Sequence, residues 1–288
     1  VLTILNCVEW FLKRLPQFFF RGALEIYLLL KPELKRVAQV NLKIAFPDLT
    51  EFERERIYKH HKKELAQIFA DMIRAPYHDP KWVKENVVFN DPALVSQYIE
   101  EIKVTGGVSA TAHIGNFEII LHALNQNGVV TNFVTRAFKQ KFLNEWWQKR
   151  RASSGGSAID RKGAIKGSLR AIQNKESVGI LFDQNVTRNF ASFVPLFGKN
   201  AATTKIIPLL LKKTKASLVF WTVRPAESKF IVEGRKIDYH DILEDEEFTE
   251  KLLIRLHQEL ERRIREYPEG WFWFHRRWRT QEFNEKVY

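Results

Sequence analysis

Apolar positions in the first third of the chain follow a helical period. Between residues 32 and 72, Ile57, Leu65, Ile68, Phe69 and Met72 recur at spacings of three, four and eight, and Asp48-Leu49-Thr50-Glu51 supplies N-cap chemistry ahead of the run. A proline-bounded break at 76–80 ends this pattern. Beyond it, β-branched and aromatic enrichment predicts strands over 108–112, 129–135, 178–182, 218–223 and 230–232. The amphipathic stretches 117–125, 139–151, 163–174 and 201–213 between them read as helices, and a last helix over 248–264 repeats through Leu252, Leu256 and Leu260. Strands alternating with helices predict a layered α/β/α fold with a largely parallel central sheet. The simplest partition is a helical N-terminal region over 1–80 and a catalytic α/β domain over 81–288, with no repeat or linker between them.

Charge changes the reading of the N-terminal region. Glu9, Lys13, Arg14, Arg21 and Glu25 interrupt residues 1–30, so no window offers the roughly 18 to 20 uncharged apolar residues of a spanning helix. Trp10-Phe11-Leu12, Phe18-Phe19-Phe20 and Leu28-Leu29-Leu30 lie around those charges, which suits a helix in a bilayer interface; a core helix is the alternative. Because the sequence opens on Val1 rather than Met, an upstream segment is expected. The formal charge of +12 calls for an anionic counterpart, either nucleic acid or membrane surface. A single cysteine, Cys7, excludes a disulfide framework and multi-cysteine metal sites.

The segment Ala110-Thr111-Ala112-His113-Ile114-Gly115-Asn116-Phe117-Glu118 carries the most chemistry. An apolar strand ends at His113, Gly115 permits a sharp turn, and Asn116 is a good N-cap for the next helix. The histidine therefore stands at the carboxyl end of a strand, where ligands bind in open α/β sheets. Across such a junction Glu118 can reach the ring, fix its tautomer and leave the other nitrogen as a general base. The plainer alternative is a structural histidine with Glu118 complementing the helix dipole. A metal set of His113, Glu118 and His122 is disfavoured, because His122 lies among Leu121, Ala123 and Leu124. The chain has no G-x-S-x-G, P-loop or G-x-G-x-x-G motif, which favours chemistry without a covalent enzyme intermediate.

His113-x4-Glu118 resembles the H-x4-D/E block of the glycerolipid acyltransferase superfamily. Asp160-Arg161-Lys162, then Ser192-Phe193-Val194-Pro195-Leu196-Phe197-Gly198 running into Ala201-Ala202-Thr203-Thr204, then Pro268-Glu269 with Trp273 to Thr280, resemble in order the branch holding the late acyltransferases of lipid A biosynthesis. Asn41-Leu42 and Ala45-Phe46-Pro47 are similar as well, so the likeness covers nearly the whole chain. Two positions depart from the pattern: Asp183-Gln184-Asn185 follows the third strand in place of an acidic or histidine-rich pair, and Ala137 rather than proline follows Arg136.

The resemblance implies transfer of a fatty acyl chain from an acyl carrier protein thioester to a hydroxyl of a glycolipid, a lipid A precursor, at the cytoplasmic face of the inner membrane, with no cofactor. His113 then takes the hydroxyl proton, Glu118 orients the imidazole, and attack on the thioester is direct. Arg136, Arg161 and Lys162 are candidates for gripping acceptor phosphate or carboxylate. Asp183 is placed like a site residue at a strand end, while Thr203 and Thr204 either hold acceptor or cap the next helix. His275-Arg276-Arg277-Trp278-Arg279 interleaves cations with rings, as a single-stranded nucleic-acid platform or a membrane-interface belt does. The resemblance favours lipid and leaves nucleic acid out as a partner. Acylation of another glycolipid or glycerophospholipid, such as a phosphatidylinositol mannoside, and a non-catalytic lipid- or nucleic-acid-binding protein are the competing readings.

Overall fold

A computed structural model describes residues 10–11, 13–74, 79–135, 140–283 and 285–288. Three long helices come first: α1 (Gln17–Leu30), α2 (Pro32–Ala45) and α3 (Glu51–Arg74). Pro32 at the first turn and Lys43 in the last suit α2 to its ends. A reciprocal capping box starts α3: Glu53 accepts from the Thr50 backbone N–H at 2.8 Å, and Thr50 Oγ1 accepts from the Glu53 N–H at 3.3 Å.

The rest alternates: α4 (Pro80–Asn86), β1 (Val87–Phe89), α5 (Pro92–Thr105), β2 (Gly107–Thr111), α6 (Glu118–Gln126), β3 (Thr131–Thr135), α7 (Lys141–Ala152), β4 (Ala158–Asp160), α8 (Ala164–Gln173) and β5 (Ser177–Leu181). There follow β6 (Ala191–Leu196), β7 (Lys199–Thr204), α9 (Ile206–Thr214), β8 (Ser217–Ala226), β9 (Lys229–Lys236) and α10 (Phe248–Glu266). Seven strands form one sheet in the order β1-β9-β8-β2-β5-β3-β4. Its described pairings are parallel except β8 with β9, which are joined as a hairpin.

Alternation along the strands divides the core between the two faces. Val108, Ala110, Val178, Ile180, Leu218 and Phe220 pack with α8, α9 and α10, and Ala38 and Leu42 of α2 and Tyr58 and Leu65 of α3 join that cluster. Val219, Trp221, Val223 and Val232 face the other way, against Leu94, Tyr98 and Ile102 of α5 and Ile119, Ala123 and Leu124 of α6. The layered α/β/α architecture is therefore the observed one.

Residues 201–213 are not one helix. Lys199–Thr204 pairs antiparallel with Ala191–Leu196, and the helix begins only at Ile206. The two-residue turn between these strands has positive φ at both Phe197 (51°) and Gly198 (73°), the geometry that matches the twist of a tight hairpin. Strand pairing across that turn overrides the helical preference of the alanines. Among the described residues no helix is long and apolar enough to cross a membrane.

After α10 the chain returns over the carboxyl edge of the sheet. Gly115 N–H donates to Gly270 O at 2.9 Å and Phe272 N–H donates to His113 O at 3.0 Å. Asn41 of α2 fixes this return, its side-chain amide donating to the carbonyls of Trp273 (2.7 Å) and His275 (2.8 Å).

Candidate active site

β2 and β5 are parallel neighbours, with Thr111 level with Leu181. Two residues further on, His113 and Asp183 leave the sheet at the same height. His113 Nδ1 lies 2.8 Å from Asp183 Oδ1, and the His113 backbone N–H donates to Oδ2 at 3.0 Å. Trp271 Nε1–H reaches the same Oδ2 at 2.9 Å. Asp183 is only 2% exposed. Burial pushes its carboxyl up, but the His113 ring and the donors from His113 and Trp271 outweigh that and hold it at about 2. An ionised carboxylate accepts only, so Nδ1 carries the ring proton and Nε2 presents a lone pair. The Gln184 side-chain amide lies 3.2 Å from that Nε2 and donates to it.

The turn that follows depends on Gly115. Its φ is 57°, and a Cβ there would lie 2.3 Å from Val223 O, so a side chain is excluded by both conformation and space. α6 starts at once, with Glu118 in its first turn.

Glu118 does not meet His113. Arg151 of α7 holds it with two hydrogen bonds, Nε to Oε2 at 2.8 Å and Nη2 to Oε1, while Nη1 donates to Thr135 Oγ1 at 3.1 Å. The guanidinium also lies 4.9 Å from the Phe133 ring centre and 5.5 Å from that of Trp147. A bidentate, permanently charged partner captures the carboxylate that sequence spacing assigns to the histidine. The expectation that Glu118 orients the imidazole is corrected: the hydrogen-bonded partner is Asp183.

His113, Glu118 and Arg151 border a cavity of about 1370 Å³. Phe117, Ile120, Leu121, Leu124, Phe133 and Leu181 give it apolar walls between the sheet and α6, and Arg161, Lys166, Arg170 and Lys205 give it a basic border. Among the described residues no group of three or more His, Cys, Asp or Glu side chains could hold a metal ion.

Residues 3–280 match the bacterial lipid A biosynthesis acyltransferase family. The chain belongs to that family. A lipid A biosynthesis acyltransferase of Haemophilus influenzae is 26% identical over 253 residues, covering 85% of this chain and 77% of that protein. A lipid A biosynthesis palmitoleoyltransferase of Escherichia coli K12 is 24% identical over 276 residues, covering 94% and 87%. Membership makes this an acyltransferase of the lipid A biosynthesis type, and the geometry can be related to that chemistry.

Among the remaining predicted site residues of this family member, Arg161 and Thr204 line the cavity. Thr204 Oγ1 also accepts from the Ile206 N–H at 3.4 Å, so it caps α9. Lys162 is exposed outside the lining, and Arg136 lies outside the described residues. Thr203 is fully buried and bonded to Arg277, His257 and Ala201, so it faces the core rather than an acceptor.

The aromatic-basic cluster is likewise split. Arg277 and Trp278 are fully buried, whereas Arg276 and Arg279 are exposed. Arg277 donates to Ala202 O at 2.7 Å and Thr203 Oγ1 at 2.6 Å, and burial lowers it to about 10. Burial lowers His275 to about 4, and its neutral Nε2 accepts from the Asn185 N–H at 2.8 Å. These contacts remove His275, Arg277 and Trp278 from the expected headgroup belt: His275 braces the loop carrying Asp183 through Asn185, while Arg277 and Trp278 hold β7.

Sequence reasoning missed Arg151, Gln184 and Trp271. Arg151 sits in a run of basic residues that reads as a solvated helix face. Gln184 was legible as the neighbour of Asp183, and Trp271 only as one of many aromatics near the C-terminus.

Proposed function

We propose that the chain moves a fatty acyl group from an acyl carrier protein thioester to a hydroxyl of a lipid A precursor at the cytoplasmic face of the inner membrane. The observation that carries this reading is the His113–Asp183 pair at a large apolar-walled cavity. His113 Nε2 takes the proton from the acceptor hydroxyl as its oxygen attacks the thioester carbonyl; the carbon–sulfur bond then breaks and the carrier's thiolate leaves. Asp183 holds the Nδ1–H tautomer and stabilises the imidazolium formed in that step. No acyl-enzyme is required, because a thiolate is a good leaving group.

The Glu118–Arg151 pair fixes the wall beside the reacting carbonyl, and the positive end of α6 favours the developing oxyanion. Arg161, with Lys166 and Arg170 beside it, suits acceptor phosphate. Membrane association is assigned to residues 1–80, where Phe18, Phe19, Ile26, Leu29 and Leu30 are exposed on α1. Replacing Phe18 and Leu29 with Ser should release the protein from vesicles containing anionic lipid in a sedimentation assay.

The deciding experiment incubates wild type and His113→Ala with acyl carrier protein charged with a labelled acyl chain and a lipid extract, and follows lipid masses. One acyl unit gained by a lipid A precursor, with wild type only, supports the reading. Gain on another lipid reassigns the acceptor, and no transfer by folded wild type with intact thioester overturns the reading.

A further inference from the structure

The cavity wall treats its polar atoms unequally. Ser109 and Thr111 of β2 and Trp221 of β8 all line it, and all are at least nine-tenths buried. Ser109 Oγ is fully engaged, 2.8 Å from Ser177 Oγ and 3.2 Å from Tyr98 Oη, and those two hydroxyls are 2.9 Å apart. Among the described residues, Thr111 Oγ1 and Trp221 Nε1 have no hydrogen-bonding partner. Buried polar groups are nearly always satisfied, so two orphans at one place require a cause.

Their placement supplies it. Thr111 and Trp221 are register partners on adjacent parallel strands, on the same face of the sheet. The Cε3–Cζ3 edge of the indole lies against Gly234 of β9, where a Cβ would come within 2.5 Å of Cζ3. That leaves the opposite edge, which bears Nε1, on the side of β2 and Thr111. The hydroxyl donates and accepts, whereas the indole only donates. A ligand hydroxyl between them can accept from Trp221 and exchange a second hydrogen bond with Thr111. Thr111 lies two residues before His113, about 7 Å along the strand, so the notch meets the first few carbons of a chain whose carbonyl is beside His113.

We propose that Thr111 and Trp221 form a polar notch for a hydroxyl near the carboxyl end of the transferred acyl chain, so that the donor is a hydroxylated fatty acyl group. This rests on the acyl-transfer reading above. A site built to hydrogen-bond a substrate hydroxyl disfavours the analogue lacking it, since its own polar groups are then left unpaired.

The test compares dodecanoyl, 2-hydroxydodecanoyl and 3-hydroxydodecanoyl chains on acyl carrier protein. One hydroxylated donor should exceed the plain donor roughly tenfold in kcat/KM with wild type. Thr111→Val, which keeps the shape and removes the hydroxyl, and Trp221→Phe should each bring that ratio towards one. Equal use of all three donors by wild type overturns the notch while leaving acyl transfer standing, and an ordered water then fills the position. Transfer of none by folded wild type counts against the acyl-transfer reading instead. The notch is then judged by displacement of a fluorescent fatty acid: roughly tenfold tighter binding of one free hydroxydodecanoate than of dodecanoate supports it, and equal binding overturns it.

Discussion

Asp183 and Glu118 are both buried carboxylates beside the cavity, yet one faces an imidazole and the other a guanidinium. Histidine changes charge near neutral pH, so the Asp183 pair can accept and return a proton. Arginine does not change charge, so the Glu118 pair can only hold geometry and field. A carboxylate's part in the chemistry is thus set by the partner that reaches it, not by its distance in sequence from the histidine.

The sharpest way to test this contrast is His113→Ala, for which we expect transfer to fall about 10³-fold with circular dichroism unchanged. Asp183→Asn comes next, at about 10²- to 10³-fold. Removing its negative charge disfavours the imidazolium, so the acidic limb of the pH–rate profile should move to lower pH. The same variant tests folding. Asp183 lies below its ordinary 3.8, at about 2, so its stabilising contribution is present above pH 4 and lost as pH falls through about 2. Urea midpoints between pH 2 and 6 should show that acid-sensitive component in wild type and not in Asp183→Asn.

Glu118→Gln and Arg151→Gln should each lower transfer about 10²-fold through misplacement of the reacting groups. Their pH–rate profiles should keep the wild-type shape, and the double variant should be no worse than either single one, because the two side chains act as a unit. A shift of the acidic limb in Glu118→Gln would make the two carboxylates equivalent and break the comparison. Gln184→Ala should be mildest, a few-fold, the worth of one hydrogen bond to the ring.

Much of this was legible in the sequence. The strands carrying His113 and Asp183, the strand-end position of both and the turn at Gly115 follow from apolar runs and glycine chemistry. The adjacency of β2 and β5 does not, since nothing local reports which strands pair; without it, the partner 70 residues away is invisible and the carboxylate five residues on looks like the natural choice. Periodicity also failed at Lys199–Thr204, where pairing with Ala191–Leu196 decides. The interleaving of cations with rings misled at Arg277: arginine is seldom buried, but this one is held among carbonyl and hydroxyl acceptors.

The stitching of Asn41 to the carbonyls of Trp273 and His275 sets a timetable for biosynthesis. Trp271, which holds Asp183, and Gly270, which pins Gly115, leave the ribosome well after the strands they support. Contacts separated by more than 230 positions close late and slowly. A nascent chain can therefore assemble most of its sheet while its histidine still lacks part of its support, and catalytic competence arrives only after translation has passed Trp271 and the residues that Asn41 holds.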